Sequence, residues 1–421
     1  MSNFLCKIFG CTPGDGELQP KEGLSYSICG FGQNIICTII GSYLTIFMTD
    51  AIGFNALAVA FLMLGARIFD ALNDPIMGSI VDRTRSKWGK CRPYLKWMAF
   101  PIAAMTIICF LPWYPNTKGG FAAISVMYVI WGMIYTVADV PYWGLSTAMS
   151  NDTYRRGNLL TVARLFCTAG AGLVTIIVPI ITDNMTVGLD PATKSEHLRW
   201  IYFIITVVCV ILATPLFFVG FKNTVERNQS TETPPSLKHN LQLLFKNKPL
   251  MLIVLSGIGG AARMLFTYTG GLYFAKYVMD KESMYALLTM AVVPGGLIAS
   301  LLVPWFTKKI GKRKTYIYSH LLGGVAMLVA FIVGFACDHG DYSSPLTITV
   351  LMIALVVAGI PTGFGNIVTY AMIGDTVEYL ELKTGERAEG ICFAMQTLMN
   401  KVGMAIGAFV GVLAYYMAGI S

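Results

Sequence analysis

Long apolar runs separated by short polar segments make up most of the chain. There are eleven such runs, none with the alternating polar positions of a strand, and each is long enough to cross a bilayer as a helix. They cover residues 25–49, 53–81, 94–113, 120–149, 159–182, 200–221, 250–279, 284–306, 316–337, 346–374 and 391–420. The pattern therefore predicts an all-α polytopic membrane protein.

Composition narrows the class further. Hydrophobic residues make up 55% of the 421-residue chain and charged residues only 13%, whereas soluble domains average about 25% charged. This imbalance excludes a soluble enzyme, a nucleic-acid-binding protein and a disordered chain. The 10 cysteines and 4 histidines show no paired or metal-ligand spacing, so neither a disulfide framework nor a metal cluster is implied. We expect a protein that is not an enzyme and has no resident cofactor.

Lysine and arginine are distributed unevenly between alternate loops. If the N-terminus is cytoplasmic, the cytoplasmic segments hold 22 of these residues and the opposite loops hold 4. Such a bias is typical of a plasma-membrane protein in this orientation. It also accounts for the net charge of +8 without any nucleic-acid partner, because the basic residues face the cytoplasmic leaflet of the lipid bilayer.

The two halves of the chain resemble each other. The loop "RSKWGKCRPY", ending at Tyr94, recurs as "TKKIGKRKTY", ending at Tyr316, an offset of 222 residues. The segment "AMSNDT" at 148–153 recurs as "AMIGDT" at 371–376, an offset of 223 residues. Basic loops can resemble each other by chance, but two matches at nearly one offset favour a duplicated chain with six spans per half.

The repeat predicts the domain organisation and one missing element. Because the second half holds five runs, we expect a twelfth span to be absent from this chain. We also expect the basic loops of the two halves to pair with acidic residues on the cytoplasmic side, namely Asp82, Asp152, Asp375 or Glu378. The predicted parts are a cytoplasmic leader 1–24, an N-terminal helical bundle 25–221, a cytoplasmic linker 222–248 and an incomplete C-terminal bundle 249–421.

Charged residues inside the predicted spans are candidate functional residues, because an ionisable group at membrane depth costs several kcal/mol. Residues near the span ends, such as Lys276, can reach water and are discounted. Seven lie deeper: Arg67, Asp70, Asp74, Asp139, Arg164, Arg263 and Lys401. Three are negative and four are positive. An anionic substrate would offset this excess of positive charge, whereas a neutral glycoside would not, and the sequence leaves both possibilities open.

The second span contains a candidate cation site. Asp70, Asn73 and Asp74 lie on one helical face, since they are three and four positions apart. Two carboxylates this close favour a shared proton or a bound cation, and their oxygens together with the amide oxygen suit Na⁺. The alternative is a neutralising network with Arg67 that holds no ion.

The fourth and fifth spans contain a candidate sugar site. Asp139 and Trp143 are four residues apart and share a helical face. A carboxylate that accepts hydroxyl hydrogen bonds, together with an indole face, is suited to a pyranose ring. The alternative is that Trp143 faces lipid or another helix. Arg164 has no carboxylate in its own span, so its partner is expected to be Asp139 or a substrate oxygen.

Lys401 is the charged residue of the last span. Gln396 and Thr397 lie close to it in sequence, and we expect Lys401 to pair with carboxylates of the second and fourth spans as an internal substitute for the cation. Arg263, in the seventh span, has no evident partner in the sequence.

These motifs resemble the glycoside–pentoside–hexuronide:cation symporters, the melibiose-permease-like branch of the major facilitator superfamily. The resemblance rests on "RIFDALNDPIMGSIVDRTRSKWGKCRPYL" at 67–95, "LSYSICGFG" at 24–32, "YTVADVPYWGL" at 135–145, Arg164, and the segment from "GDTVEYLELKTGERAEG" to "QTLMNKVG" at 374–403. It extends over nearly the whole chain in order. It implies two six-helix bundles and alternating access.

The resemblance also implies roles for individual residues. Asp70, Asn73, Asp74 and Thr136 match cation-site positions, Thr136 being added by the resemblance alone. Asp139, Trp143 and Arg164 match sugar-site positions, and Lys401 matches the charged residue of the eleventh span. Two positions depart from the family pattern: Asn34 stands where galactoside-type members often have Asp, and Asn366 stands at an aromatic position. The sugar preference of those members therefore cannot be transferred.

The predicted function is symport of a glycoside or hexuronide-type sugar with Na⁺ or H⁺ by alternating access. The expected substrate-binding positions are Asn34, Asp139, Trp143, Arg164, Arg263, Gln396 and Thr397. A cation-coupled lysophospholipid transporter and a non-transporting sugar sensor are the alternatives.

Overall fold

The computed structural model describes residues 9, 18–150, 153–227, 245–261, 269–340, 342, 344–385 and 389–417. The chain divides into two compact units, Met1–Pro234 and Pro235–Ser421. The division lies within the polar segment 222–248 that separates the two sets of apolar runs. No strand occurs in the described ranges, so each unit is built from helices.

The described part of the first unit contains six long helices. They are α1 Pro20–Ala51, α2 Ala56–Arg83, α3 Arg92–Cys109, α4 Lys118–Met149, α5 Thr153–Thr186 and α6 Pro191–Asn223. The first of these is central, because α5 and α6 both pack along it and 72% of its apolar window is buried, against 33% for α4 and for α5. The second helix packs against α4, which places the two candidate sites on neighbouring helices.

The second unit is also helical throughout its described ranges. Its helices are α7 Lys248–Ala261, α8 Thr269–Tyr277, α9 Met284–Ile310, α10 Lys312–Asp338, α11 Pro345–Thr384 and α12 Glu389–Met417. The predicted seventh span, 250–279, covers α7, α8 and the undescribed residues between them. In this unit α9 and α10 both pack against α11, and α7 packs against α12.

Seven helices of the described residues are long and apolar enough to cross a membrane. They are α1, α4, α5, α6, α9, α10 and α11. The charges of α2, including Arg67, Asp70 and Asp74, lower its hydropathy although the helix is 28 residues long. The count of eleven spans therefore stays a prediction.

Several helices extend beyond the apolar runs that predict them. The first begins at Pro20 rather than at residue 25, so the end of the predicted leader is helical, and Glu22 within it is only 5% exposed. The eleventh ends at Thr384, ten residues beyond its apolar run. The start of α1 and the end of α11 are therefore determined by capping residues and not by the limits of the apolar runs. Side-chain caps begin four helices: Asn55, Thr117, Asp190 and Ser344.

The last part of α1 contains two π-helical turns, Ile39–Tyr43 and Phe47–Ala51. Arg199 of α6 stabilises this end by donating to the carbonyl oxygens of Ala51 at 2.8 Å and Ile52 at 3.3 Å. The same guanidinium donates to the carbonyl of Tyr114, at 3.2 Å, in the loop between α3 and α4. One side chain therefore satisfies carbonyl groups that the helix ends leave unpaired.

A glycine with positive φ occupies the same place in both repeated loops. Gly89, before α3, has φ +103°, and Gly311, before α10, has φ +83°. The two positions are separated by 222 residues, the offset of the sequence repeat. Glycine adopts this conformation without the strain that a β-carbon would cause, so the repeat preserves a backbone turn as well as a charge pattern.

A carboxylate that the sequence analysis does not single out, that of Glu226, binds the backbone of the first basic loop. The carboxylate of Glu226 accepts backbone N–H groups of Lys90 at 2.7 Å and of Cys91 and Arg92 at 2.8 Å each. These donors lie at the N-terminus of α3, where the helix dipole also favours a negative charge. A β-carbon on Gly89 would collide with this carboxylate. Two of the predicted acidic partners lie outside the described residues: the side chain of Asp82 and the whole of Asp152.

In the second unit, the predicted partner Asp375 is found beside the basic loop. Both of its carboxylate oxygens accept from Nζ of Lys312, at 2.7 and 2.8 Å. Because both side chains are largely exposed, we expect the pair to contribute at most about 1 kcal/mol.

Replacing Glu226 should destabilise the first unit. Glu226→Ala removes the acceptor of three N–H groups at the start of α3, which costs about 1–2 kcal/mol at helix N-termini. We expect Glu226→Ala to lower the unfolding temperature in detergent and Glu226→Gln, which keeps one acceptor oxygen, to lower it less. The control is Glu196→Ala, at an exposed position on α6. Equal unfolding temperatures for the Glu226→Ala and Glu196→Ala variants would show that the capping contact contributes nothing.

Candidate substrate and cation sites

Asp139 on α4 lies at the centre of the candidate sugar site. Its Oδ1 accepts Nε2–H of Gln33, from α1, at 2.7 Å and Nε1–H of Trp143 at 3.1 Å. The contact with Trp143 connects two residues one helical turn apart, as the sequence spacing predicts. The structure therefore brings Asp139 and Trp143 together and joins them to the central helix of the unit.

Gln33 is the residue of this cluster that sequence reasoning missed. Its side chain is 1% exposed, and its Oε1 has no hydrogen-bond partner within the described residues. A buried carbonyl oxygen without a donor costs about 1–3 kcal/mol. The available signal was a glutamine beside Asn34 in an otherwise apolar segment, but glutamine carries no charge and therefore does not stand out as an intramembrane charge does.

Arg164 on α5 contacts Trp143 rather than Asp139. Its guanidinium carbon lies 4.4 Å from the centroid of the Trp143 ring, a distance typical of a cation–π interaction. In the described part of the chain no ion pair joins Arg164 to Asp139, so the expected pairing of these two residues is not formed. The indole of Trp143 instead lies between them, with its N–H towards the carboxylate and its ring towards the cation.

Two stacked tyrosines hold α1 and α4 together beside this cluster. The rings of Tyr26 and Tyr142 lie 4.6 Å apart and nearly parallel. Each hydroxyl donates to the backbone carbonyl of the other residue, at 3.1 and 3.3 Å. Tyr142 also meets the ring of Trp143 edge-on at 4.9 Å. This buried contact fixes the α1–α4 geometry on which the bond between Gln33 and Asp139 depends.

Asn34 lies next to Gln33 on α1 and is half-buried. Its amide nitrogen donates to the carbonyl of Gly30 at 3.0 Å, within its own helix. This position therefore presents a neutral amide near the cluster, where an aspartate would add a second negative charge.

The candidate cation site lies between α2 and α4. Asp70 is 8% exposed, and its Oδ1 lies only 2.5 Å from the position that a β-carbon on Gly132 would take. Thr136, which is 2% exposed, follows Gly132 by one helical turn on α4. Glycine thus permits the carboxylate to approach the α4 backbone, on the face that carries the Thr136 hydroxyl.

The other members of the predicted cation set lie along α2. Asn73 and Asp74 are half-buried, one turn after Asp70. Carboxylate, amide and hydroxyl oxygens are the donors that a hard monovalent cation prefers, so the residues present fit such an ion. Nη2 of Arg67 lies 3.5 Å from the position of a β-carbon on Gly41 of α1. The alternative of a neutralising network between Arg67 and the carboxylates of α2 stays a prediction.

The predicted residues of the second unit are described in part. Lys401 is half-buried on α12, close to Met399, whose side chain packs against Gly257 of α7. The side chains of Gln396 and Thr397 lie outside the described residues, as does the whole of Arg263. Asn366 is exposed on α11.

The chain matches the family described as "MFS/sugar transport protein" over residues 25–421. It belongs to this family. Members of the MFS/sugar transport family are multi-pass membrane transporters and not enzymes, so the predicted fold class, the absence of an enzymatic role and transport of a sugar are confirmed at this level.

Similar proteins are also named as transporters or carriers of sugars. The isoprimeverose transporter of Lactiplantibacillus pentosus is 30% identical, over 93% of this chain and 78% of its own length. A glucuronide carrier protein homolog of Escherichia coli K12 is 29% identical, over 96% of this chain and 84% of its own. A putative sulfoquinovose importer of Salmonella typhimurium LT2 is 26% identical, over 93% and 80%. The resemblance to glycoside–pentoside–hexuronide symporters is therefore confirmed.

Solved structures show the same fold. The nucleoside transporter NupG aligns with a TM-score of 0.62 at 15% identity, over 94% of this chain and 91% of that chain. The D-xylose-proton symporter aligns with a TM-score of 0.58 at 15% identity, over 95% and 94%. At this identity the comparison shows the fold alone.

Adding a methyl group at Gly132 should disturb the cation site. The β-carbon of Gly132→Ala would displace the Asp70 carboxylate, so we expect cation-stimulated uptake to require a cation concentration raised by roughly tenfold or more, a change of about 1.4 kcal/mol. Gly65→Ala, on α2 with nothing within 4 Å of the new atom, is the matched control. The assignment fails if the Gly132→Ala and Gly65→Ala variants respond to cation in the same way.

Proposed function

We propose that the chain imports a glycoside or hexuronide-type sugar across the plasma membrane by cation-coupled symport, with alternating access and a cytoplasmic N-terminus. The observation that carries this proposal is the cluster of Gln33, Asp139, Trp143 and Arg164, which presents hydrogen-bonding groups, an aromatic ring and a cation at one place on the first unit.

Each member of the cluster suits a sugar ligand. The buried Oε1 of Gln33 lacks a donor within the described residues, and a sugar hydroxyl would supply one. The Asp139 carboxyl group is already aligned by two N–H donors, so further hydroxyl hydrogen bonds to its ionised form would be charge-assisted. Trp143 offers apolar surface to the C–H groups of the ring.

The guanidinium of Arg164 favours an anionic sugar. Within the described residues Arg164 makes no ion pair, and its side chain is exposed. Because position 34 is a neutral asparagine and not an aspartate, Asp139 is the acidic residue of this cluster. Planar guanidinium groups bind carboxylate and sulfonate oxygens in a bidentate manner. Two of the relatives are named for anionic sugars, a glucuronide and sulfoquinovose.

Helix α4 supports coupling between the two ligands. Gly132 and Thr136 face the cation site, and Asp139 lies three residues further along the same helix. Seven residues of helix separate Gly132 from Asp139, a distance of about 10 Å. A cation that binds between Asp70 and Asp74 can therefore favour the position of α4 in which Asp139 binds sugar, and such coupling is reciprocal.

The direct test is counterflow of radiolabelled glycosides in membrane vesicles that contain the full chain. We expect vesicles preloaded with unlabelled sugar to accumulate labelled sugar transiently, and Asp139→Asn to reduce the peak strongly because charge-assisted bonds to hydroxyl groups are lost. The amide of Asn can still accept from Trp143, which limits any structural damage. Binding of the sugar without counterflow would point to a sensor instead.

Arg164 should discriminate between charged and uncharged sugars. We expect Arg164→Gln to weaken competition by a phenyl glucuronide by roughly tenfold to a hundredfold, the value of a charged hydrogen bond, and competition by the matching phenyl glucoside by less than about threefold. Arg164→Lys keeps the charge and should give an intermediate loss for the glucuronide. An equal loss for the two sugars would contradict an anionic substrate while leaving sugar transport in place.

A further inference from the structure

A cluster of basic and aromatic residues that belong to neither candidate site surrounds the start of α3. The ammonium groups of Lys87 and Lys96 lie over the ring of Trp88, at 4.7 and 4.6 Å from its centroid. Phe221, at the end of α6, meets Trp88 edge-on at 5.8 Å. Two lysine charges thus converge on one indole where the chain enters α3.

Among the residues that the structure describes, no carboxylate neutralises these two charges. Neither Lys87 nor Lys96 forms an ion pair within the described part of the chain. The nearby carboxylate of Glu226 accepts three backbone N–H groups instead. Arg92 donates to the carbonyl of Phe221, at 2.8 Å from its Nη2, so its guanidinium is held by the protein. The two ammonium groups keep hydrogen-bond donors for an external anion.

An exposed apolar surface continues from this cluster along α3. Lys96 also lies 5.0 Å from the ring of Trp97, which is 58% exposed. Phe100, one turn further, is 66% exposed and lies 5.4 Å from Phe218 of α6. The step from Lys96 to Phe100 covers about 6 Å along the helix. From the start of α3 onwards, the two lysine ammonium groups are therefore followed by the amphipathic indole of Trp97 and then by the apolar ring of Phe100.

We propose that Lys87, Lys96 and Trp88 bind the headgroup phosphate of an anionic phospholipid, whose acyl chain lies along Trp97 and Phe100. Basic residues beside the first turn of a membrane helix attract anionic headgroups, and indole rings favour this depth of the bilayer. A soluble phosphate would gain nothing from the apolar surface. A zwitterionic lipid brings a cation of its own towards the two lysines, which disfavours it.

The test measures which lipid the full chain retains. The protein is reconstituted in bilayers of equal parts phosphatidylglycerol and phosphatidylcholine with matched acyl chains, extracted in mild detergent, and analysed by native mass spectrometry. We expect phosphatidylglycerol to be retained preferentially. The double variant Lys87→Gln/Lys96→Gln should lower that preference by roughly tenfold or more, since each basic residue near the surface adds to the attraction.

Two further variants separate charge from structure. Lys87→Arg/Lys96→Arg keeps both charges and should retain the preference for phosphatidylglycerol, even if the glutamine variant fails to fold. Lys118→Gln/Lys194→Gln removes two lysines at the other end of the helices of the first unit and should also retain it. Adding salt should weaken the preference in the unchanged protein.

Three outcomes would overturn the proposal. One is equal retention of the two lipids by the unchanged protein. A second is the same loss of preference in the Lys118→Gln/Lys194→Gln control as in the Lys87→Gln/Lys96→Gln variant. A third is displacement of the lipid by soluble glycerol phosphate at the same concentration, because this would show that the apolar surface contributes nothing.

Discussion

Charged and polar groups at membrane depth need partners within the protein, and several of these partners in the first unit lie on helix α4. Its Gly132 lets the Asp70 carboxylate approach the backbone closely. Its Trp143 donates to Asp139 and presents its ring to Arg164. Because unpaired charges in a low-dielectric environment cost several kcal/mol, each of these contacts restricts where α2, α5 and α1 can lie relative to α4.

Two polar groups of the first unit lack a complementary partner among the described residues. Gln33 Oε1 is buried without a donor, and the Arg164 guanidinium has an aromatic partner but no carboxylate within the described residues. Both groups belong to the Asp139 cluster. A ligand with hydroxyl groups and a negative charge would satisfy both, which is why the same physical constraint that organises the helices also indicates the class of substrate.

Much of the fold could be predicted from the sequence, because length and hydropathy determine which segments form helices. The helix ends could not, since polar residues at 20–24 and 375–384 continue helices whose limits depend on capping. Asp139 and Trp143 were found from their spacing, which depends on a single helix. Gln33, Glu226 and the true neighbour of Arg164 depend on contacts between helices that no local spacing encodes, and the first two carry no intramembrane charge.

The central claim is that carboxylates of α2 couple a cation to sugar movement, and uphill accumulation in proteoliposomes tests it most directly. The full chain would be given an inward gradient of Na⁺ or of H⁺, with Asp74→Asn as the comparison. We expect one of the two gradients to drive the sugar above its external concentration in the unchanged protein, while Asp74→Asn only equilibrates it. Equilibration alone by the unchanged protein under both gradients, or full accumulation by Asp74→Asn, would contradict the claim.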